Sequence, residues 1–187
     1  MAPNNITIYL NNYHLMAKKY RFILLLLILT LVQARATASA TAKPAYWIAI
    51  PQTSAHDYGV YYFRKNLNLT QLPAAMRVEV SGDNRYELYV NGQLASAGPA
   101  KGDLHHWHYE TVDLKPYLKP GNNVVAAMII NEGEKRALSL YTHRTAFYLH
   151  ALDAIGAELN TDPSWLCIQD RGYQPLNTKV AAFMAVG

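Results

Sequence analysis

Apolar and polar residues alternate with a period of two through several stretches of the chain. Over residues 61–69 the apolar side chains fall on odd positions, and over residues 76–81 and 86–90 they fall on even positions. Because successive side chains of a strand point to opposite faces, this period predicts three half-buried β-strands. Residues 124–130 are apolar throughout, which predicts a strand covered on both faces at the centre of the core.

Turn-forming residues separate these segments. Asn91-Gly92 predicts a tight hairpin, since both residues tolerate positive φ, so residues 93–97 should pair back on residues 86–90. Turns are also predicted at residues 82–84 and 153–156, and a single helical turn within residues 115–122. The remaining strands are predicted at residues 46–50, 107–111, 145–152 and 164–168, the first being an edge strand ended by Pro51. Short strands without a long helical period predict an all-β fold, an antiparallel β-sandwich of jelly-roll type.

The first 40 residues have the order of an export signal. Lys18, Lys19 and Arg21 precede the apolar run 22–32, and small residues follow it. This order predicts a signal peptide over residues 1–40, with translation from Met16 giving an ordinary leader and cleavage after residue 38 or 40. The run is shorter than the ~20 apolar residues of a spanning helix, so we expect no stable membrane span. An uncleaved anchor is the alternative. Export would place the protein in the periplasm, at the cell surface or outside the cell.

The charge balance changes once this leader is removed. The chain has 187 residues, with 17 Lys and Arg and 13 Asp and Glu, and the leader contains four of the basic residues and no acid. The remaining chain therefore has no net charge and lacks a basic cluster, which argues against a nucleic-acid partner. Cys167 is the only cysteine, so no intramolecular disulfide can form.

Polar and aromatic residues are densest between residues 82 and 110. Sugar recognition needs an aromatic ring for the apolar sugar face and fixed polar groups for the hydroxyls. Trp107 or Tyr109 could form the platform, and the candidate hydrogen-bonding partners are Arg85, Glu87, Asp103 and His106. The alternative is structural: Trp107 and Tyr109 share one strand face and could be core or an interdomain contact, while Arg85 and Asp103 could form an ion pair.

The sequence does not contain a complete metal site or glycosidase site. His106 and His108 would share a strand face, but no third spaced ligand completes a metal shell, so no metal site and no cofactor are predicted. Calcium held by loop oxygens stays open, although no Asp-rich loop of EF-hand type occurs. A glycosidase needs two carboxyl groups held ~5–10 Å apart, and none of the candidates forms an evident pair. These candidates are Glu79, Glu87, Asp103 and Glu110. We therefore predict no catalytic residue, and we assign Tyr46, Trp47 and Trp165 to the core.

Four linked motifs indicate a family. These are residues 85–92 (RYELYVNG), 98–103 (GPAKGD), 106–111 (HWHYET) and 117–122 (YLKPGN). Together they resemble the N-terminal domain of bacterial α-L-rhamnosidases, over residues 46–176. The hairpin and the LKPGN element are shared with galactose-binding-like sandwiches in general, and the GPAKGD and HWHYE blocks narrow the resemblance to rhamnosidases. It implies a sandwich module over residues 41–176 and a divergent tail over residues 177–187.

In the family this module precedes a helical barrel that carries the acidic catalytic residues. The resemblance therefore implies a truncated gene or fragment, with a non-catalytic module that binds a rhamnose-containing saccharide or positions the missing catalytic domain. Two alternatives stay open. One is α-L-rhamnosidase activity of the longer parent protein, and the other is a purely structural sandwich that packs on a partner chain.

Overall fold

The computed structural model describes residues 19–21, 23 and 43–175. The chain divides into two compact units, residues 1–42 and Lys43–Gly187. In the first unit, residues 19–21 and 23 are helical. The predicted leader cleavage site and the divergent tail over residues 177–187 lie outside the described residues. Within the described parts of the chain, no helix has the length and apolar character needed to cross a membrane.

Eight strands lie in the described part of the second unit, residues 43–175. They are β1 (Gly59–Leu69), β2 (Arg77–Asp83), β3 (Arg85–Val90), β4 (Gln93–Gly98), β5 (Glu110–Asp113), β6 (Gly121–Asn131), β7 (Ala146–Ala151) and β8 (Leu166–Asp170). Three short 3₁₀ helices lie at Lys115–Tyr117, Gly133–Lys135 and Ala154–Leu159. The strands form an antiparallel five-stranded sheet, in the order β4-β3-β6-β1-β8, and a three-stranded sheet, β5-β2-β7. The predicted all-β antiparallel sandwich is confirmed.

The core lies between the two sheets. Phe63 of the five-stranded sheet meets Phe147 of the three-stranded sheet, with ring centroids 5.5 Å apart, and Trp165 packs on Phe147 at 5.3 Å. Strand β6 is central in its sheet, as predicted, but only alternate side chains, such as Val125 and Ile129, are fully buried. The prediction that both faces of this strand are covered is wrong, because a two-layer sandwich buries only one face of each sheet.

Residues 46–50 do not form the predicted edge strand. Ile48 makes a single bridge to Phe147 of β7, with N···O distances of 2.9 and 2.8 Å. Because Ile48 and Phe147 face the core, their neighbours Trp47 and Tyr148 face the other side of the sheet. Trp165 is buried as predicted, whereas Trp47 is 47% exposed and Tyr46 is also exposed, so their assignment to the core is wrong.

The predicted strand over residues 107–111 is also wrong in its first half. Pairing of β5 with β2 begins at Glu110, opposite Val80, and residues 99–109 form an irregular loop. Strand β2 continues to Asp83, and the predicted turn at residues 82–84 is the point where the chain passes from one sheet to the other at Asn84. The loop and this crossover lie beside each other and define the candidate site.

Candidate functional site

Asp103 organises the loop over residues 99–109. Its Oδ1 accepts hydrogen bonds from the backbone N–H groups of His105 at 2.7 Å and His106 at 2.8 Å, and its Oδ2 lies 3.0 Å from Nδ1 of His106. These bonds lower the pKa of the Asp103 carboxyl to about 2, the His106 side chain being the largest cause. Gly102 packs tightly below the turn, since a Cβ there would lie 2.2 Å from the carbonyl oxygen of His106. The GPAKGD block therefore builds a compact turn.

Ser81 of β2 ties the following residues to the sheet. Its hydroxyl accepts the indole N–H of Trp107 at 3.1 Å and donates to the carbonyl oxygen of His108 at 2.7 Å. These two bonds hold the loop across the outer face of the three-stranded sheet. Trp107 is half-buried and has a fixed ring orientation.

Three aromatic rings meet on this outer face. The rings of Trp47 and Trp107 pack edge to face, with centroids 6.3 Å apart and an interplanar angle of 87°. Trp47 also packs on Tyr148, with centroids 5.4 Å apart. Burial is the main cause that raises the pKa of Tyr148, followed by the charges of Glu79 and Tyr109. Large rings in edge-to-face contact form a rigid apolar surface at little further entropic cost on binding.

The two indoles border a cleft of about 580 Å³. We call it the tryptophan cleft, and it is lined by Trp47, Ala49, Asp83, Leu104, Trp107, His143, Arg144 and Ala146. Its volume falls in the range of small-molecule sites, which are typically about 300–1,000 Å³. Leu104 is about half exposed on its wall. The cleft therefore combines aromatic and aliphatic surface with a polar edge.

The polar edge of the cleft is formed by His143 and Arg144, and the buried carboxylate of Asp83 fixes their backbone. Asp83 is 2% exposed, and its Oδ2 accepts the backbone N–H groups of His143 and Arg144, both at 2.7 Å. Its Oδ1 accepts from the hydroxyl of Thr142 at 2.6 Å and from the amide of Asn84 at 3.2 Å. The carboxylate thereby holds the 142–144 segment against the crossover, while the side chains of His143 and Arg144 are exposed.

The six residues predicted from the sequence do not form one site. Only Trp107 lines the tryptophan cleft. Asp103 and His106 bond to each other in the turn, so they position the loop. Arg85 and Glu87 lie on β3 in the other sheet, where Arg85 is 3.5 Å from Glu132. The predicted alternative pair of Arg85 with Asp103 is therefore wrong.

Tyr109 and the remaining candidate carboxylates have other partners. Tyr109 is exposed in the loop and does not share a strand face with Trp107. Glu87 accepts a hydrogen bond from the hydroxyl of Tyr89. Glu79 is half-buried, and its carboxylate lies 3.3 Å from Nδ1 of His150.

Glu110 points inward and is bonded at both oxygens. It accepts the hydroxyl of Tyr86 at 2.9 Å and the backbone N–H of Ala100 at 2.7 Å. Burial is the main cause that raises the pKa of Tyr86. Among residues 43–175 and the short helical piece before them, no group of three His, Cys, Asp or Glu side chains is arranged to hold a metal ion.

Only Trp107 of the cleft residues was predicted from the sequence, and those missed include Trp47, Leu104, His143 and Arg144. Trp47 lies outside any alternating segment, so no pattern of apolar residues predicted that its side chain is exposed. His143 and Arg144 follow Asp83 by 60 residues, and only the fold brings them together. The pair of Trp47 and Trp107 could have been suspected only from the bridge between Ile48 and Phe147.

Two other concavities fit a saccharide less well. A gap between Trp107 and residues 139–141 has a volume of about 20 Å³, which suits a water molecule. An open groove of about 1080 Å³ runs between residues 50–58 and β8, and it is lined by tyrosines without a tryptophan. The tryptophan cleft differs from both in having two indoles in edge-to-face contact at its border.

Comparison with known proteins supports the fold. No family model and no curated protein sequence matches the chain. Among solved structures, the chain is similar to a GH78 family rhamnosidase of Bacillus sp. GL1, with a TM-score of 0.57 and 20% identity, over 67% of this chain and 13% of that one. It is also similar to a Streptomyces avermitilis α-L-rhamnosidase complexed with L-rhamnose, with a TM-score of 0.50 and 15% identity, over 74% of this chain and 13% of that one.

These similarities confirm, at the level of fold, the resemblance predicted from the four motifs. The chain spans about 13% of the length of either rhamnosidase, so it corresponds to one domain-sized part of each. At this identity the shared property is the sandwich itself.

Proposed function

We propose that this chain carries a non-catalytic carbohydrate-binding module of an α-L-rhamnosidase-like glycoside hydrolase, and that saccharide binds in the tryptophan cleft. The observation that carries the proposal is the edge-to-face pair of Trp47 and Trp107 bordering a cleft of about 580 Å³. A sugar ring presents C–H groups on its apolar face, and the negative face of an indole attracts them. Exposed polar groups at the cleft edge can bond the hydroxyls.

The bonding state of the carboxylates supports a binding role rather than hydrolysis. A glycosidase acid must be free to protonate the leaving oxygen, and its partner must reach water or the anomeric carbon. Asp83 accepts four hydrogen bonds, Glu110 accepts two, and Asp103 is bonded within its turn. The rhamnosidases of similar fold suggest L-rhamnose as the first sugar to test.

Titration calorimetry of the full chain with methyl α-L-rhamnoside tests the proposal. We expect measurable heat and a quenching or shift of tryptophan fluorescence. Trp107→Ala should lose about tenfold or more in affinity, as aromatic anchors of binding sites do. Leu166→Ala is the matched control, because it shortens an exposed apolar side chain on β8 of the other sheet.

A folded chain that gives no heat with millimolar rhamnoside would contradict the binding role. Equal losses in Trp107→Ala and Leu166→Ala would place the sugar elsewhere. Turnover of an aryl rhamnoside by the chain would contradict the non-catalytic assignment.

A further inference from the structure

The tryptophan cleft also contains a cation without an ion pair in the described part of the chain. Arg144 lines its wall, and the guanidinium makes no ion pair within 4.0 Å among the residues described by the structure. Its backbone is held in place, since its N–H donates to Asp83 at 2.7 Å. An arginine with a fixed backbone and a free side chain beside an aromatic surface is a ready anion-binding group.

Asp83 makes no ion pair with this guanidinium within 4.0 Å. A carboxylate offers about four acceptor positions, and Asp83 receives four hydrogen bonds from neighbouring groups. It is also 2% exposed, so little of its surface is open to a ligand. The positive charge of Arg144 is therefore available to a bound molecule.

The residues around Arg144 indicate the chemical class of the bound ligand. Arg144 lies in the same cleft as Trp47, Trp107 and Leu104, so the anion has to be part of a ligand with an apolar ring face. The flat guanidinium fork matches the two oxygens of a carboxylate. His143, which precedes Arg144 in the chain and is exposed on the same wall, supplies a second polar group.

We infer that the tryptophan cleft takes a saccharide that bears a carboxylate, a uronic acid, with the sugar ring on the indoles and the carboxylate on Arg144. This inference rests on the proposed saccharide-binding function and adds the chemical class of the ligand. Neutral saccharides leave the guanidinium without a partner and bind more weakly.

Digalacturonic acid and its neutral dimethyl ester test the inference with the full chain. We expect the acid to bind about tenfold more tightly than the ester, because one hydrogen bond between charged groups typically changes the affinity by this factor. Arg144→Gln should lower the affinity for the acid to about that for the ester and so remove this difference, and Arg144→Lys should keep part of it. Raising the salt concentration should lower the affinity for the acid and leave the affinity for the ester nearly unchanged. Arg64→Gln, an exposed arginine on β1 of the other sheet, is the control and should change neither affinity.

Each other outcome overturns the inference. Equal affinities for acid and ester, a difference that persists in Arg144→Gln, or binding of methyl α-L-rhamnoside without either galacturonate would show that no carboxylate is selected. In those cases saccharide binding itself stands. No binding to any of the three saccharides would overturn both the inference and the proposed function.

Discussion

Trp107 donates its indole N–H to the hydroxyl of Ser81 at 3.1 Å, and Ser81 is 1% exposed on strand β2. The same hydroxyl donates to the carbonyl oxygen of His108 at 2.7 Å. A buried serine thus sets the orientation of an aromatic ring on an irregular loop. Rigid support of this kind matters because a ring that must be ordered on binding loses affinity.

Ser81→Ala should weaken saccharide binding while the chain stays folded. The substitution leaves the Trp107 indole and the His108 carbonyl without their partner, which costs about 1–3 kcal/mol of unfolding free energy. Because the core is untouched, the chain stays folded, and the mobile ring should lower the affinity for methyl α-L-rhamnoside several-fold. Urea denaturation and calorimetry measure the two effects separately.

Ser96→Ala is the matched control for this prediction. Ser96 lies on β4 of the other sheet, where its hydroxyl bonds Tyr86 at 2.9 Å. It should lower stability by a similar amount without changing the affinity. If Ser81→Ala and Ser96→Ala bind the rhamnoside equally well, the serine is not a positioning residue of the cleft.

The strands could be predicted because alternation of apolar residues and turn-forming residues depends on local backbone geometry. The alternation over residues 61–69 matches the buried and exposed faces of β1, and Asn91 has φ 51° in the hairpin that its sequence indicates. The hairpin and YLKPGN motifs also meet in space, since the side-chain amide of Asn91 donates to the carbonyl oxygen of Tyr117 at 2.9 Å. These motifs stabilise the fold, which explains why they indicate fold better than function.

The cleft could not be predicted in the same way, because its walls come from three distant segments. Trp47 precedes β1, Trp107 belongs to the loop before β5, and Arg144 precedes β7. The contacts that join them are long-range: the bridge of Ile48 to Phe147, the bonds of Ser81, and the bonds of Asp83. A period of two carries no information about such contacts, so only Trp107 was identified in advance.

Leu104→Asn should reduce the preference of the cleft for a 6-deoxy sugar. L-Rhamnose differs from L-mannose by a methyl group in place of a hydroxymethyl group, and Leu104 is the exposed aliphatic residue on the cleft wall. We expect the native chain to prefer rhamnose by about fourfold, because burying one methyl-sized group contributes about 0.8 kcal/mol. The variant should bind the two sugars about equally in competition titrations.

Leu138→Asn controls for the effect of a polar substitution at an exposed leucine that does not line the cleft. It should leave the ratio of the two affinities unchanged. A rhamnose preference that survives Leu104→Asn would mean that another wall contacts the methyl group.

Protonation of Asp103 should loosen the loop that carries Trp107 only in strong acid. The folded pKa of Asp103 is lowered from its ordinary value of 3.8 to about 2, first by the His106 side chain and then by the backbone N–H of His105. A depressed carboxyl pKa contributes stability that is present above 3.8 and is lost as the pH falls through about 2. The carboxyl is exposed, so this contribution concerns the local turn.

His106→Ala should raise the pKa of Asp103 part of the way towards 3.8. The substitution removes the largest cause of the shift, while the backbone N–H groups at positions 105 and 106 can still donate to Oδ1. Carboxyl ¹³C chemical shifts followed against pH measure the change directly. His150→Ala should leave the titration of Asp103 unaltered, because His150 faces Glu79 at 3.3 Å on the sheet. An Asp103 pKa that stays near 2 in His106→Ala would show that the backbone bonds of the turn suffice to hold the carboxylate.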